Sequence, residues 1–289
     1  MKSHTHFILA LVVVLAVAPA AFATTDTITL TDGQSTAYVD PTTSAGMYHW
    51  DIQGQNELNQ QWFWYRIGDT SGEQPINAIS APSTNKISDG IAQITYDNGA
   101  LGVTIQFSLT ANANRVAAES STWADMGEQI TLVNHTASPV NLHFFQYSNF
   151  DLGAPGNDTA ELLQFANHPG KFGGALQSDA SNSLSESVAE VSPWANEGDV
   201  GVYPNTINSL TDASPTTLSN TLGPVGPGDV TWALEWDLTL AANGGSIGIS
   251  KDKSLSVVLL PGGGNVPEPS TIALLACGAT GLLLRRRRA

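Results

Sequence analysis

The sequence predicts an all-β protein: an antiparallel β-sandwich body, flanked by an N-terminal signal helix and a short C-terminal transmembrane helix. Three observations predict it. Between Ser35 and Leu260, Thr, Ser, Asn, Gly and Val abound while Lys and Arg are few, a composition that favours strands and turns. Several segments alternate apolar and polar residues with period two, punctuated by Gly, Asn and Pro. Between them lie no helical patterns of the kind that crossovers in a parallel sheet require.

Residues 1–23 open the chain as a signal peptide. Lys2 supplies positive charge, residues 7–18 are apolar, and Ala21-Phe22-Ala23 is a small-any-small cleavage site ahead of Thr24. Export with cleavage after Ala23 is the expectation. The body then runs over residues 24–260, enough chain for one sizeable core or two smaller ones.

Residues 26–30 alternate first. Residues 91–96 and 101–109 alternate again and are joined through Asp97-Asn98-Gly99, the strongest hairpin signal in the chain. Residues 129–133 and 140–147 read as strand, polar turn, strand. Val140, Leu142 and Phe144 would face one way, and Asn141, His143 and Phe145 the other. Residues 153–217 are dense in Gly, Asn, Ser, Asp and Pro. They read as long loops with short strands such as 161–165, and 183–191 as a strand or one short helix. Residues 230–240 alternate once more. Asn243-Gly244-Gly245 makes a turn, and 246–250 and 254–260 are the last two strands. Residues 261–265 form a Gly-rich linker.

The only cysteine, Cys277, lies beyond that linker, so disulfides cannot staple the body and a core must hold it. Five of the 11 basic and one of the 26 acidic residues lie in the end segments. The body keeps 6 basic and 25 acidic residues, a net charge of −19. Such a surface repels nucleic acid and anionic lipid, favours solubility, and attracts cations.

Residues 266–289 follow a different logic. Pro267 and Pro269 bracket Glu268 and disfavour helix, so a helix can start only after them, with Ser270 or Thr271 as N-cap. Residues 272–284 carry no charge and are stopped by Arg285, Arg286, Arg287 and Arg288. Thirteen helical residues span ~20 Å, short of a ~30 Å hydrocarbon core. That marks a transient retention signal in the inner membrane more than a permanent anchor. The arginines keep to the cytoplasmic side and leave the body outside.

Pro-Glu-Pro, a short apolar helix and an arginine cluster, in that order at the chain's end, resemble the PEP-CTERM sorting signal of bacterial exported proteins. The resemblance implies handling by an exosortase, a membrane enzyme that cleaves near Pro267, Glu268 and Pro269. It also implies a cell-surface or matrix location in a Gram-negative bacterium that makes exopolysaccharide. It covers the tail alone and implies nothing about the fold or chemistry of the body.

Within the body the candidate sites are few. Trp62 and Trp64 share one strand face, with Phe63 and Tyr65 on the other. Either some aromatic surface is left over to stack on sugar rings, or the strand is buried on both sides. Glu235 and Asp237 share a face between Trp232 and Trp236, a carboxylate pair of the type used in glycoside hydrolysis, or simply an amphipathic strand. Asp151, Asn157 and Asp158 put three oxygen side chains in a Gly-rich loop, which suits calcium, although no known calcium-loop spacing is matched and Asx turns explain it equally. His49, His135, His143 and His168 show no zinc-protease spacing, and His143 reads as a strand-face residue rather than a ligand. The body therefore reads first as a non-enzymatic surface or matrix protein that contacts exopolysaccharide. The alternatives are a secreted glycosidase-type enzyme and a calcium-dependent adhesin. Calcium is the one cofactor in view; the partners are the secretion machinery and exosortase.

Overall fold

The computed structural model describes residues 27–52, 54–111, 121–153, 156–164, 168–179, 184–188 and 191–258. The signal segment with Ala21 and Ala23, the linker 261–265, and the tail with Pro267, Glu268, Pro269, helix 272–284 and Arg285 to Arg288 lie outside the described residues. Among the described residues no helix is long and apolar enough to cross a membrane.

In chain order the strands are β1 (Ile28–Asp32), β2 (Ser35–Asp40), β3 (Gly46–Ile52), β4 (Gln55–Asn56), β5 (Leu58–Ile67), β6 (Gln74–Pro75), β7 (Ser83–Lys86), β8 (Ile91–Asp97) and β9 (Leu101–Ala111). They continue as β10 (Ser121–Asn134), β11 (Val140–Phe150), β12 (Asp158–Gln164), β13 (Phe172–Asp179), β14 (Leu184–Val188), β15 (Glu197–Val202), β16 (Val225–Gly228), β17 (Val230–Leu240) and β18 (Gly245–Val258). A 3-10 turn at Ile76–Ala78 and one helix, α1 (Asn205–Thr211), complete the described elements. The strands form two nine-stranded sheets. The first runs β1-β2-β3-β5-β11-β17-β15, with β4 on β3 and β6 on β5. The second runs β16-β12-β13-β14-β18-β10-β9-β8-β7. All pairings are antiparallel except a short parallel contact of Gly46 and Met47 with Gln61.

Alternation in sequence becomes alternation in burial. β2 and β8 bury every second residue, as strands with one face on a core must. The Asn98-Gly99 signal is realised as the β8–β9 hairpin, with Gly99 at φ 80°. The turn at 134–139 does something else. β10 belongs to the second sheet and β11 to the first, so this turn carries the chain across the sandwich and makes no hairpin. The turn at 241–244 does the same between β17 and β18. Buried Asn134 ties the two crossovers together by donating to the carbonyls of Ser138, Leu240 and Ala241. The last strand is continuous over Gly245–Val258, not two pieces. The 153–217 stretch is more ordered than its composition suggests: it holds β12 to β15 and α1, and 184–188 is strand.

The inner face of the first sheet packs Phe63, Phe144 and Trp236 in a row, at 5.6 and 6.4 Å between ring centroids. Beside this row a charged cluster spans the sandwich. Glu128 of β10 meets Lys251 Nζ at 2.5 Å and Lys253 Nζ at 2.6 Å, both from β18, and accepts a 2.8 Å bond from Gln61 Nε2 of β5. Lys251 also donates to Gln146 and lies 4.6 Å over the Phe63 ring.

β5 and β17 are buried on both faces. The outer face of the first sheet is covered by the segments after β5 and after α1. Trp62 Nε1 donates to Asn77 of the 3-10 turn, and Arg66 Nη2 donates to the carbonyl of Thr216. This cover decides between the two alternatives for the aromatic run in favour of a strand buried on both sides. Trp62 and Trp64 are fully buried, so neither offers a ring face to a sugar.

Candidate functional site

The register of three adjacent strands builds the site. Arg66 of β5 pairs with His143 of β11, and His143 with Asp237 of β17. One step along, Trp64 pairs with Phe145 and Phe145 with Glu235, while Glu235 pairs with Glu197 of β15. Directly paired residues of an antiparallel ladder share a face. Arg66, His143, Asp237, Glu235 and Glu197 therefore all rise from the outer face of the first sheet. Glu235 and Asp237 share that face as the sequence predicts. The partner between them, His143, comes from a strand about ninety residues away.

The His143 imidazole is held at both nitrogens. Nδ1 lies 3.2 Å from Glu235 Oε1 and 2.5 Å from Asp237 Oδ1. Nε2 lies 3.0 Å from Asp69 Oδ1, in the loop after β5. That loop is set by Gly68, whose N–H bonds the Asn141 carbonyl at 3.0 Å. Beneath the imidazole, Arg66 donates to Glu73 at 2.8 Å and lies 3.8 Å from Glu235 Oε1. Exposure grades across the cluster. Glu235 and Arg66 are buried, His143 is partly exposed, and Asp237 and Asp69 stand in solvent at 39% and 79%.

Burial sets the electrostatics of Glu235. It pushes the carboxyl up to about 8, helped by the negative charges of Asp237 and Glu197 and opposed by the Leu218 N–H and Arg66. Glu197 is raised in the same way, first by burial and then by Asp237. A mainly polar groove of about 210 Å³ opens beside the cluster, lined by Asp69, Asn141, His143, Asp237 and Thr239 together with Leu142 and Leu238. It is smaller than the ~300–1,000 Å³ of drug-sized ligand sites and suits one small polar unit. Among the His, Cys, Asp and Glu side chains of the described residues, one group of three brings its donor atoms within 4.8 Å of one another. It is His143, Glu235 and Asp237.

The loop acids are gathered elsewhere. Asp158 accepts bonds from the Leu152 N–H at 3.0 Å and from Gln177 at 2.7 Å, and Asn157 donates to buried Asp179. Burial first, and then the charges of Asp158, Asp179 and Asp151, push the Glu57 carboxyl up to about 7 against the opposing Gly153 N–H bond. Asp158 is pushed to about 6, again chiefly by burial. The acids of this loop thus meet at one end of the sandwich, but their oxygens do not converge to 4.8 Å as those around His143 do.

Sequence reasoning missed His143, Asp69, Arg66 and Glu73 as members of the site. The available signal was the outer-face parity of His143 with Asn141 and Phe145. It lacked the pairing of β11 with β17, which no local pattern encodes.

The sequence model of one family, the PEP-CTERM protein-sorting motif, matches residues 265–288. No curated protein matches the chain. Among solved structures, a bacterial glucoamylase complexed with acarbose superposes at TM-score 0.51 and 7% identity, over 78% of this chain and 30% of that one. The chain thus spans under a third of the glucoamylase's length. The Slr1438 protein of Synechocystis sp. PCC 6803 superposes at TM-score 0.50 and 8% identity, over 80% of this chain and 96% of its own. A galactose mutarotase related enzyme from Lactobacillus acidophilus gives TM-score 0.50 and 6% identity, over 79% and 97%. At such identities the likeness is one of fold. The motif in the C-terminal tail, residues 265–288, implies an exported protein that an exosortase processes.

Proposed function

We propose that the protein is delivered to the cell surface or matrix by its tail and binds saccharide at the groove over His143. The tail helix tethers the chain to the inner membrane until it is processed. The observation that carries the binding reading is the groove itself. It is small, half-open and lined with hydrogen-bonding groups (Asp69, Asn141, His143, Asp237, Thr239), which match the donors and acceptors of sugar hydroxyls. The sheet that forms its floor belongs to a fold shared with a glucoamylase and a mutarotase-related enzyme, both named for action on sugars. The location fits, because a sorted surface protein meets exopolysaccharide first.

The experiment is a glycan array of gluco- and galacto-oligosaccharides, followed by titration calorimetry on the best ligand. Asp237→Asn and His143→Ala should each weaken binding about tenfold or more, since a hydrogen bond to a charged group contributes ~1.5–3 kcal/mol. An array with no ligand, or affinities indifferent to both changes, would sink the reading.

A second reading, acid–base action on the bound sugar, is favoured by one observation. Glu235, buried with a carboxyl near 8, contacts His143 Nδ1, so a proton can be held at that contact near neutral pH. It predicts faster exchange between sugar anomers, or release of reducing ends, than in the His143→Ala protein. NMR of a fresh α-anomer distinguishes these outcomes from binding alone.

A further inference from the structure

We propose that His143, Glu235 and Asp237 hold a divalent transition-metal ion of the zinc class in the floor of the groove. The inference deepens the saccharide reading and rests on it for the role of the ion, though not for its binding. One nitrogen and two carboxylate oxygens converge, from two strands, within 4.8 Å of one another. A tetrahedral ion with ~2.0–2.1 Å bonds needs ligand atoms ~3.3 Å apart. Nδ1 and Glu235 Oε1 already stand at 3.2 Å. Nδ1 and Asp237 Oδ1 stand at 2.5 Å and must part by less than 1 Å. Asp237 is 39% exposed and has the room to do so.

The surroundings fit the same ion. Asp69 faces the other ring nitrogen at 3.0 Å. A carboxylate there accepts a hydrogen bond from Nε2–H and leaves the Nδ1 lone pair directed at Glu235 and Asp237, the outer-shell arrangement that ligating histidines use. Charge balance agrees. Arg66 is shared between Glu73 at 2.8 Å, Glu235 at 3.8 Å and the carbonyls of Gly68 and Thr216. Four carboxyl groups, Asp69, Glu197, Glu235 and Asp237, crowd a single imidazole, and a dication would offset the two that bind it. The donor set selects the class. Calcium takes six to eight oxygens and magnesium an oxygen octahedron, whereas imidazole with carboxylates suits zinc or manganese. Three protein ligands would leave one position open to a sugar hydroxyl.

The test uses the full chain, stripped with chelator and titrated with ZnCl2 and then MnCl2. Expected are one equivalent bound per chain and a rise in melting temperature. His143→Ala and Asp237→Asn should abolish the high-affinity equivalent. Asp69→Asn, at a solvent-exposed loop position, should fold normally and weaken binding about 10–100-fold, the usual cost of losing an outer-shell partner. Absence of a stoichiometric equivalent, or binding that ignores all three substitutions, overturns the proposal and reports only scattered surface acids. Saccharide titration with and without ZnCl2 separates the two readings. Metal binding with no saccharide binding keeps the ion and removes the saccharide. Equal saccharide affinity in the stripped protein keeps the saccharide and overturns the ion's part in recognition.

Discussion

Gly46 faces Trp62 across the short parallel contact between β3 and β5, and no side chain fits between them. Its φ is +58°, and a Cβ there would lie 2.2 Å from the Trp62 ring and 2.6 Å from the Gln61 carbonyl oxygen. Trp62 cannot retreat: it is fully buried, its Nε1 is bound to Asn77, and its ring meets Tyr96 edge-on at 6.4 Å. Gly46→Ala therefore combines left-handed backbone strain with overpacking, together ~3 kcal/mol. For a body of this size that is a loss of ~6–12 °C in melting temperature. Calorimetry showing a loss below ~2 °C would mean the indole or the β3 backbone gives way. The same crowding explains why the aromatic run of β5 misleads as a sequence. Alternation puts Trp62 and Trp64 opposite Phe63, and nothing in the strand itself says that both faces are covered, because the cover comes from residues 74–78 beyond the next loop and from 216–218, remote in the chain.

At the scale of the strands, β10 and β18 are held to β5 and β11 by a buried cluster as well as by packing. Burial pushes the Glu128 carboxyl up, but Lys251 and Lys253 outweigh it and bring the group down to about 2. The carboxylate thus stands between two buried ammonium groups. Glu128→Gln keeps the shape and removes the carboxylate that both buried ammonium groups meet, at 2.5 and 2.6 Å. A loss of ~3–5 kcal/mol is expected, as for other broken buried pairs. Denaturant melts check it, and a loss below ~1 kcal/mol would show that water reaches the cluster. These lysines also show where reading stops. Glu128 alternates with Met126 and Ile130, and Lys251 and Lys253 with Leu255, all pointing inward; in sequence the charges argue instead for a solvated face. Hairpin β8–β9 was legible because Asn98-Gly99 closes it locally. The 134–139 and 241–244 turns carry comparable polar signals yet cross between sheets, because the choice between pairing back and crossing is made by strands far away. The candidate site divides in the same way. That Glu235 and Asp237 share a face follows from period two, whereas their meeting with His143 and Asp69 depends on non-local register.

For the whole molecule, acidity and burial together set an unusual response to pH. Glu57, Asp158 and Glu235 are each no more than 2% exposed, and burial, first among the causes, pushes their carboxyls to about 7, 6 and 8. In the unfolded chain such groups titrate near 4. From about pH 4.5 to about pH 8 the native state therefore holds more protons than the unfolded state, and stability falls as pH rises through that window. Below it the contribution is fully present. Glu128 acts in the opposite sense and loses its contribution only as pH falls from about 4 toward 2. The body's net charge of −19 adds self-repulsion that also eases on acidification. Melting temperature should accordingly peak near pH 5 and be several degrees lower at pH 8, measured in chelator so that no cation offsets the acids. Asp158→Asn provides the control. Its amide oxygen can still accept from Leu152 and Gln177, but the charge beside Glu57 is gone. The substitution should raise the melting temperature at pH 8 and leave it nearly unchanged at pH 5. A melting temperature that is flat or rising from pH 5 to 8, or an Asp158→Asn effect equal at both, would mean that water or rearrangement relieves these buried carboxylates.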